Sequence, residues 1–250
     1  MIRLLAKVLI VVLAVVFLSS AVVFAEKLQL GKKPIYVVKA KGTMKMDAKT
    51  SEAAWKKAPN VASSINHYIV TATGAVKTGS PPDGTKVTTL KYLWDAKNLY
   101  CFIKVKDPQN YTGSISPVDF DSVQYSIDAK NCNKSTYNGK CDASYILSRP
   151  FKRANGQAYS EVWGWGETVQ MAAFKKNSKS ISTSTSYTQE VKIVMSLHGV
   201  ATLKAKKKIG WDMQINDATK AKAGRTNQLV WNSLDYAWVN PSTMGTLILK

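Results

Sequence analysis

The chain has 250 residues, enough to bury one sizeable core and too few for two ordinary domains joined by a long linker. Lysine and arginine total 35 against 16 aspartates and glutamates, so the formal net charge is +19. Such an excess attracts polyanions of any kind at long range and identifies no single partner. Nucleic acid is disfavoured as a partner, because the N-terminal sequence indicates export.

The first 25 residues are predicted to form a signal peptide. Arg3 and Lys7 precede an apolar run from Val8 to Leu18, and the small-residue end at Ala25 marks the expected cleavage point. An uncleaved membrane anchor is the alternative. Cleavage would leave residues 26–250 as one exported domain without stable membrane insertion, either secreted or held at the cell surface.

Short β-rich segments separated by turns follow the signal peptide. After a first strand at 35–38, the segments 87–94 and 99–106 predict a hairpin, because a short polar link joins them. In residues 121–128, apolar and polar side chains alternate. This pattern predicts a strand with Tyr125 on the core face and polar side chains on a solvent-exposed face.

Further β-rich runs follow at 187–197, 208–216, 229–232 and 245–249, and no long segment has a helical period. Many short strands without intervening helices predict an all-β fold. We therefore expect one antiparallel β-sandwich of the jelly-roll or immunoglobulin-like kind.

Three cysteines remain after export. Cys101 shares one face of a predicted strand with apolar neighbours, which indicates a buried thiol. Cys132 and Cys141 bracket a polar, turn-rich loop, and in an oxidising compartment a disulfide between them is predicted, with two reduced thiols as the alternative. No histidine lies near this loop to support a zinc site.

No catalytic motif is present in the sequence. There is no nucleophile elbow, phosphate loop or metallopeptidase motif, and the sparse acids do not form the carboxylate pair that a glycosidase needs. Asp107, Asp121, Asp128 and Asp217 are equally consistent with backbone capping or calcium coordination. The sequence therefore favours a protein without chemistry of its own.

The tryptophans offer the stacking surfaces that sugar binding requires. Trp94 and Trp211 lie in predicted strands and are expected in the core. Trp163 and Trp165 share one face of a short run, which is consistent with either a buried pair or an exposed platform. Trp238 lies in an irregular polar loop, where an exposed aromatic ring suggests contact with a ligand.

The C-terminal segments carry a family likeness. The chain resembles family 9 carbohydrate-binding modules, which are appendages of xylanases and related glycoside hydrolases. The likeness covers most of the mature chain, and its most specific elements are Gly210–Ala218, Trp231-Asn232, Trp238 and Pro241–Leu249, with Leu93-Trp94-Asp95, Asp121–Asp128 and Met46-Asp47 upstream.

The resemblance implies a β-sandwich that clamps the end of a glucan or xylan chain between two tryptophans, with calcium supporting the loops. Trp238 matches one wall of the clamp, whereas the other wall falls near Val118, where Phe120 is the expected substitute. Gln124 stands where the family has glutamate and Asp235 where it has an amide. An arginine contact of the family has no match, Ile146 being the residue at that place.

These features predict an exported, non-catalytic protein that binds polysaccharide or oligosaccharide in support of carbohydrate catabolism, beside a separate glycoside hydrolase. One alternative is a cell-envelope protein whose basic surface binds anionic polymer. Another is a haem-binding relative of the same sandwich. Such a protein needs a pair of histidine or methionine side chains as axial ligands, and the candidates by residue type are Met44, Met46, His67 and His198.

Overall fold

The computed structural model describes residues 29–111, 116, 118–152, 158–219 and 224–250. The predicted signal peptide, 1–25, lies outside the described residues. The strands are β1 (Ile35–Lys39), β2 (His67–Val70), β3 (Ala75–Thr78), β4 (Lys86–Trp94), β5 (Asn98–Lys106), β6 (Ser122–Asp128), β7 (Asp142–Ser148), β8 (Phe151–Lys152), β9 (Ala158–Tyr159), β10 (Val162–Trp165), β11 (Ser178–Ser182), β12 (Ser186–Val194), β13 (Lys208–Asp217), β14 (Asn227–Val230) and β15 (Gly245–Leu249). The helices are α1 (Ala53–Lys57) and α2 (Thr168–Lys176), with 3-10 turns at Ala62–Ser64, Met195–His198 and Pro241–Thr243.

Most strands belong to two layers. One layer, the site sheet, has the strand order β10-β7-β6-β13-β15, and β14 also pairs with β13 and continues through β2 to β3. The other layer, the back sheet, has the order β4-β5-β12-β11. The separate strands β8 and β9 pair only with each other among the described residues. This arrangement confirms the predicted all-β sandwich.

Strand β1 connects the two layers. Residues 35–37 run parallel to β15 in the site sheet, and residues 38–39 run parallel to β4 in the back sheet. The other described strand pairs are antiparallel. The predicted antiparallel pairing is therefore correct except at β1.

Aromatic side chains of the two layers meet in the core. The Trp211 indole Nε1 donates a hydrogen bond to the Tyr92 hydroxyl at 3.1 Å, and the two rings pack edge to face with centroids 5.9 Å apart. The Tyr125 hydroxyl donates to Gln189 across the layers at 2.8 Å. Trp94 and Cys101 are buried, as predicted. Aromatic rings supply large buried apolar area, and these hydrogen bonds satisfy their polar ends.

The outer face of β6 is not wet as predicted, because every residue of this strand is buried. Two loops, 129–141 and 231–244, cover it. They are joined by a hydrogen bond from the Tyr137 hydroxyl to the Ala237 carbonyl and by one from the Ser242 amide to the Lys134 carbonyl. Alternation along a strand shows which residues are polar, but not whether a loop covers them.

The helix α2 was not predicted from the sequence. Only Gln170 and Phe174 of this helix are buried, so no apolar stripe marks it. Phe174 stacks on Tyr145 with centroids 4.3 Å apart, and the Gln170 amide donates to the Gly139 and Leu197 carbonyls. Tertiary contacts therefore hold the helix. No helix in the described ranges has the length and apolar character needed to span a bilayer.

Candidate functional site

Strands β6, β7, β13 and β14 place polar side chains on the covered outer face of the site sheet. Gln124 lies opposite Gln214 in the β6–β13 register, and its amide donates to Ser144 Oγ on β7 at 2.9 Å. The Asn216 amide donates to Ser122 Oγ at 2.9 Å. These contacts fix the orientation of side chains that form a polar floor.

Trp165 stands at the end of β10, at the edge of the site sheet. It is 50% exposed, and Trp163 on the same strand is 47% exposed, so the sequence alternative of an exposed pair is the correct one. Gly164 between them has φ +148°, and a Cβ there would lie 1.9 Å from the Ser144 carbonyl oxygen. Only glycine allows β10 to approach β7 this closely.

Trp238 lies in the covering loop 231–244 and is 37% exposed. Its indole Nε1 donates to the Asp235 carbonyl at 2.9 Å, and Asp235 has a left-handed φ of +61°. The neighbouring Ala237 carbonyl accepts the hydrogen bond from Tyr137. The loop that carries Trp238 is thus stabilised by a hydrogen bond inside the loop and by a second one from loop 129–141.

Asp212 anchors the start of the same covering loop. Its buried carboxylate accepts hydrogen bonds from the Ser233 and Met213 amides, both at 2.8 Å, and a longer one from the Asn232 amide. Burial raises the pKa of Asp212 to about 7, and these hydrogen bonds oppose the rise. The carboxylate therefore ties loop 231–244 to β13.

The rings of Trp165 and Trp238 pack against each other, with centroids 5.5 Å apart and planes inclined by 43°. Together they form the tryptophan wall. Beside it lies the binding pocket, a cavity of about 170 Å³ lined by Val118, Gln124, Trp165, Arg225, Asp235 and Trp238. An apolar wall next to convergent polar groups is suited to a ligand with one apolar face and several hydroxyls.

The structure brings Trp238, Gln124 and Asp235 together in this pocket, but not Phe120. Phe120 is only 2% exposed and does not line the cavity, so it cannot serve as the second wall. The second tryptophan of the pocket is Trp165, which packs against Trp238 because β10 pairs with β7 at the sheet edge. Trp165 is 47 residues from Val118 in the sequence, and only the pairing of β10 with β7 brings it to this pocket.

Arg225 is the second pocket residue that the sequence analysis missed. Its guanidinium donates to Asp235 at 3.2 Å and to the Asn216 side chain at 3.0 Å. The Asp235 carboxylate also accepts from the Gln228 amide at 2.9 Å. Ile146, which stands at the place of the family arginine, is buried beside Gln124 in the β6–β7 register. An arginine is therefore present, supplied from just before β14.

The predicted disulfide between Cys132 and Cys141 is not formed. Their sulfur atoms lie 3.7 Å apart, within contact but beyond the S–S bond length of about 2 Å. The Cys141 thiol also contacts the Asn138 side chain, and Cys132 is exposed. The thiols are therefore adjacent and free.

Three carboxylates meet at one end of the site sheet. Oxygen atoms of Asp83, Asp107 and Asp217 lie within 4.8 Å of one another. Arg149 donates to Asp107 at 2.8 Å, and one guanidinium cannot balance the cluster. Burial raises the pKa of Asp107, and raises that of Asp217 to about 7. Hard oxygen ligands with excess negative charge fit a calcium ion.

The residues considered as haem ligands lie in separate parts of the fold. Met44 and Met46 pack against the cluster around Trp55, whereas His67 lies on β2. His198 Nε2 forms a 3.0 Å hydrogen bond with the Tyr145 hydroxyl, which occupies that ring nitrogen. The described structure thus gives the haem alternative no support.

Fold and pocket together define a β-sandwich binding domain. The family model described as "Carbohydrate family 9 binding domain-like" matches residues 46–250. The chain belongs to this family, as the resemblance predicted, and it is a non-catalytic carbohydrate-binding domain.

Curated relatives and solved structures agree with this assignment. The chain is 28% identical over 223 residues to exoglucanase XynX of Acetivibrio thermocellus, covering 87% of this chain and 17% of that protein. It is 27% identical over 211 residues to endo-1,4-β-xylanase A of Thermoanaerobacterium saccharolyticum, covering 83% and 15%. The chain thus spans less than a fifth of these relatives.

Two solved structures share the fold. One is a family 9 carbohydrate-binding module from Caldicellulosiruptor kristjanssonii in complex with cellotriose, with 22% identity, TM-score 0.65 and coverage of 87% of this chain and 94% of that one. The other is a protein from Bacteroides uniformis, with 12% identity, TM-score 0.53 and coverage of 87% and 99%.

Proposed function

We propose that this protein binds xylan or glucan chains by stacking a sugar ring on the tryptophan wall. The observation that carries the proposal is the convergence of Trp165 and Trp238 on one pocket with Gln124, Arg225 and Asp235. Pyranose C–H groups pack on indole faces, and planar polar side chains bond the hydroxyls. The names of the xylanase and exoglucanase relatives, and the cellotriose bound by the solved neighbour, support this ligand class.

We also propose that the protein acts outside the cytoplasm, secreted or at the cell surface, beside a separate glycoside hydrolase. The predicted signal peptide supports export. The relatives whose names denote xylanases and exoglucanases support a part in polysaccharide breakdown. Binding without catalysis is useful there because it holds an enzyme's substrate near the enzyme.

Calorimetric titration with glucose, cellobiose and xylobiose, at low and high salt, tests the sugar proposal. Trp165→Ala and Trp238→Ala should each weaken binding about tenfold or more, since each removes a stacking face. Trp163→Ala is the matched control, because Trp163 is equally exposed on the same strand and does not line the pocket. Equal affinities in all four proteins would contradict the proposal.

Binding of anionic polymer is the second candidate function. Besides the net charge of +19, Lys39, Lys41 and Lys57 line a separate cavity of about 270 Å³ beside α1. Clustered ammonium groups attract polyanions, and salt screens the attraction. Retention on an anionic polymer that falls steeply with salt, and falls further in Lys39→Gln/Lys41→Gln, would favour this function. Salt-independent sugar binding would favour the first.

We further propose that calcium binds at Asp83, Asp107 and Asp217. Their carboxylate oxygens are close enough to share one cation, and a bound ion would offset the repulsion among them. Calcium should then raise the melting temperature of the protein and EDTA should lower it. Asp83→Asn, at the half-buried member of the cluster, should reduce that response, whereas equal melting temperatures with calcium and EDTA would refute the site.

A further inference from the structure

A larger cavity lies next to the binding pocket. This hairpin pocket has a volume of about 730 Å³ and borders the β2–β3 hairpin. Its lining is mainly apolar and includes Leu30, Ile69, Val76, Leu234 and Tyr236. Val76 is 42% exposed and Tyr236 39% exposed, so apolar surface that usually lies inside a protein faces solvent here.

The hairpin pocket and the binding pocket share three lining residues, Arg225, Asp235 and Trp238. Trp238 borders both cavities, and the Arg225–Asp235 ion pair lies at their junction. The two cavities therefore adjoin at these three residues, and a ligand in the binding pocket lies next to the hairpin pocket.

A residue that lines the hairpin pocket, Gln228, carries a buried acceptor with no hydrogen-bond donor among the described residues. The Gln228 side chain is 1% exposed, and its amide nitrogen donates to Asp235 at 2.9 Å. Its Oε1 atom is left without a partner. Buried acceptors are normally satisfied, so the unpaired Oε1 indicates an ordered water held beside a residue that lines the hairpin pocket.

The two cavities differ in volume, and the volume limits how much of a ligand each one can hold. The binding pocket, at about 170 Å³, is smaller than pockets that take drug-sized ligands, roughly 300–1,000 Å³, and accommodates about one sugar unit. The hairpin pocket falls inside that range. The hairpin pocket also shares three lining residues with the binding pocket, which places room for further units of a chain beside Trp238.

We propose that the hairpin pocket is a second saccharide subsite, which takes the next units of the same glycan chain. The proposal rests on the proposed sugar binding in the smaller pocket. Tyr236 and Val76 supply apolar contact to pyranose faces, and the partly exposed Arg225–Asp235 ion pair at the junction offers polar groups to the hydroxyls. The ligand is then an oligosaccharide of three or more units that passes over Trp238.

The test is titration calorimetry with glucose, cellobiose, cellotriose and cellotetraose. Wild-type affinity should rise along this series, and the ratio of the glucose Kd to the cellotetraose Kd measures the contribution of the second subsite. Tyr236→Ala should leave glucose binding unchanged and lower that ratio about 3- to 10-fold, the value of one aromatic contact. Val76→Ser should lower the same ratio of dissociation constants by a smaller factor. It provides the test if Tyr236→Ala does not fold.

Val239→Ala is the matched control, since Val239 is 41% exposed in the same loop and lines neither cavity. A ratio that is unchanged in Tyr236→Ala and Val76→Ser, with glucose binding lost in Trp165→Ala, would overturn the second subsite and leave the proposed function intact. No binding of any sugar by the wild type would overturn both. A change in oligomeric state with an unchanged ratio would assign the surface to self-association instead.

Discussion

The indole of Trp165 packs against that of Trp238, with ring centroids 5.5 Å apart. A sugar held between two parallel rings needs a separation of about 7–8 Å, two van der Waals contacts. The two tryptophans therefore form one continuous wall instead of the two-sided clamp that the family resemblance implied. The proposed sugar binding therefore requires either that the sugar stack on the open side of this wall or that the two rings separate.

The contact between the two rings predicts that their mutations are coupled. In a double-mutant cycle, Trp165→Ala/Trp238→Ala should weaken sugar binding by less than the sum of the single effects, by about 0.5–1.5 kcal/mol. The reason is that each ring also braces the other. Calorimetric affinities of the four proteins give the coupling, and strictly additive losses would show that the rings act independently.

Gly164→Ala should destabilise the edge of the site sheet. The added Cβ would lie 1.9 Å from the Ser144 carbonyl oxygen, at a φ of +148° that other residues rarely adopt. We expect a loss of about 2–4 kcal/mol in the free energy of unfolding, or detachment of β10 with loss of sugar binding. Gly42→Ala is the control, because Gly42 has positive φ but open space around it. Similar losses in both variants would refute steric contact as the cause.

Tyr137→Phe should loosen the loop that carries Trp238. The variant removes the hydrogen bond to the Ala237 carbonyl while keeping the ring. We expect a loss of about 1 kcal/mol in the unfolding free energy and an affinity for sugar about 3- to 10-fold lower. Urea denaturation and calorimetry measure the two effects. Unchanged affinity with reduced stability would show that the position of Trp238 does not depend on this bond.

Glu190 should make the protein less stable as pH rises from about 5 to 8. Its buried carboxyl accepts hydrogen bonds from the Trp55 indole at 2.9 Å and from the Asp47 and Ala48 amides. Burial raises its pKa to about 7 from an ordinary value of 4.5. Between these values the unfolded chain releases the proton and the folded chain keeps it, so stability present below pH 4.5 is lost as pH approaches and passes 7.

Comparison with Glu190→Gln isolates this effect, since glutamine does not titrate. From pH 5 to pH 8, wild type should lose about 1–3 kcal/mol more unfolding free energy than the variant, as measured by urea denaturation. Identical pH profiles would mean that Glu190 is already ionised at pH 5.

Mild oxidation should join Cys132 to Cys141. The sulfur atoms are 3.7 Å apart, so a small side-chain rotation brings them to bonding distance. The bridge should raise the unfolding free energy by about 2–3 kcal/mol through loop closure. Mass spectrometry after alkylation should find Cys132 unreactive in the oxidised protein and reactive in Cys141→Ser. Unbridged thiols after oxidation would show that the loop resists the rotation.

The sequence by itself determined the strand pattern, the family and part of the pocket. Alternation and turn residues depend on local geometry, so β4, β5, β6, β13 and β15 were predictable. Trp238, Gln124 and Asp235 were found because the segments around them match the family pattern in order and spacing.

Only the tertiary structure decided which side chains complete the pocket. Trp165 reaches Trp238 through the β10–β7 pairing, Arg225 is held by Asp235, and Phe120 is buried instead of lining the site. Two loops also turn the outer face of β6 into the covered floor of the pocket. Pairing of distant strands and the path of covering loops depend on contacts between remote segments, which local residue patterns do not record.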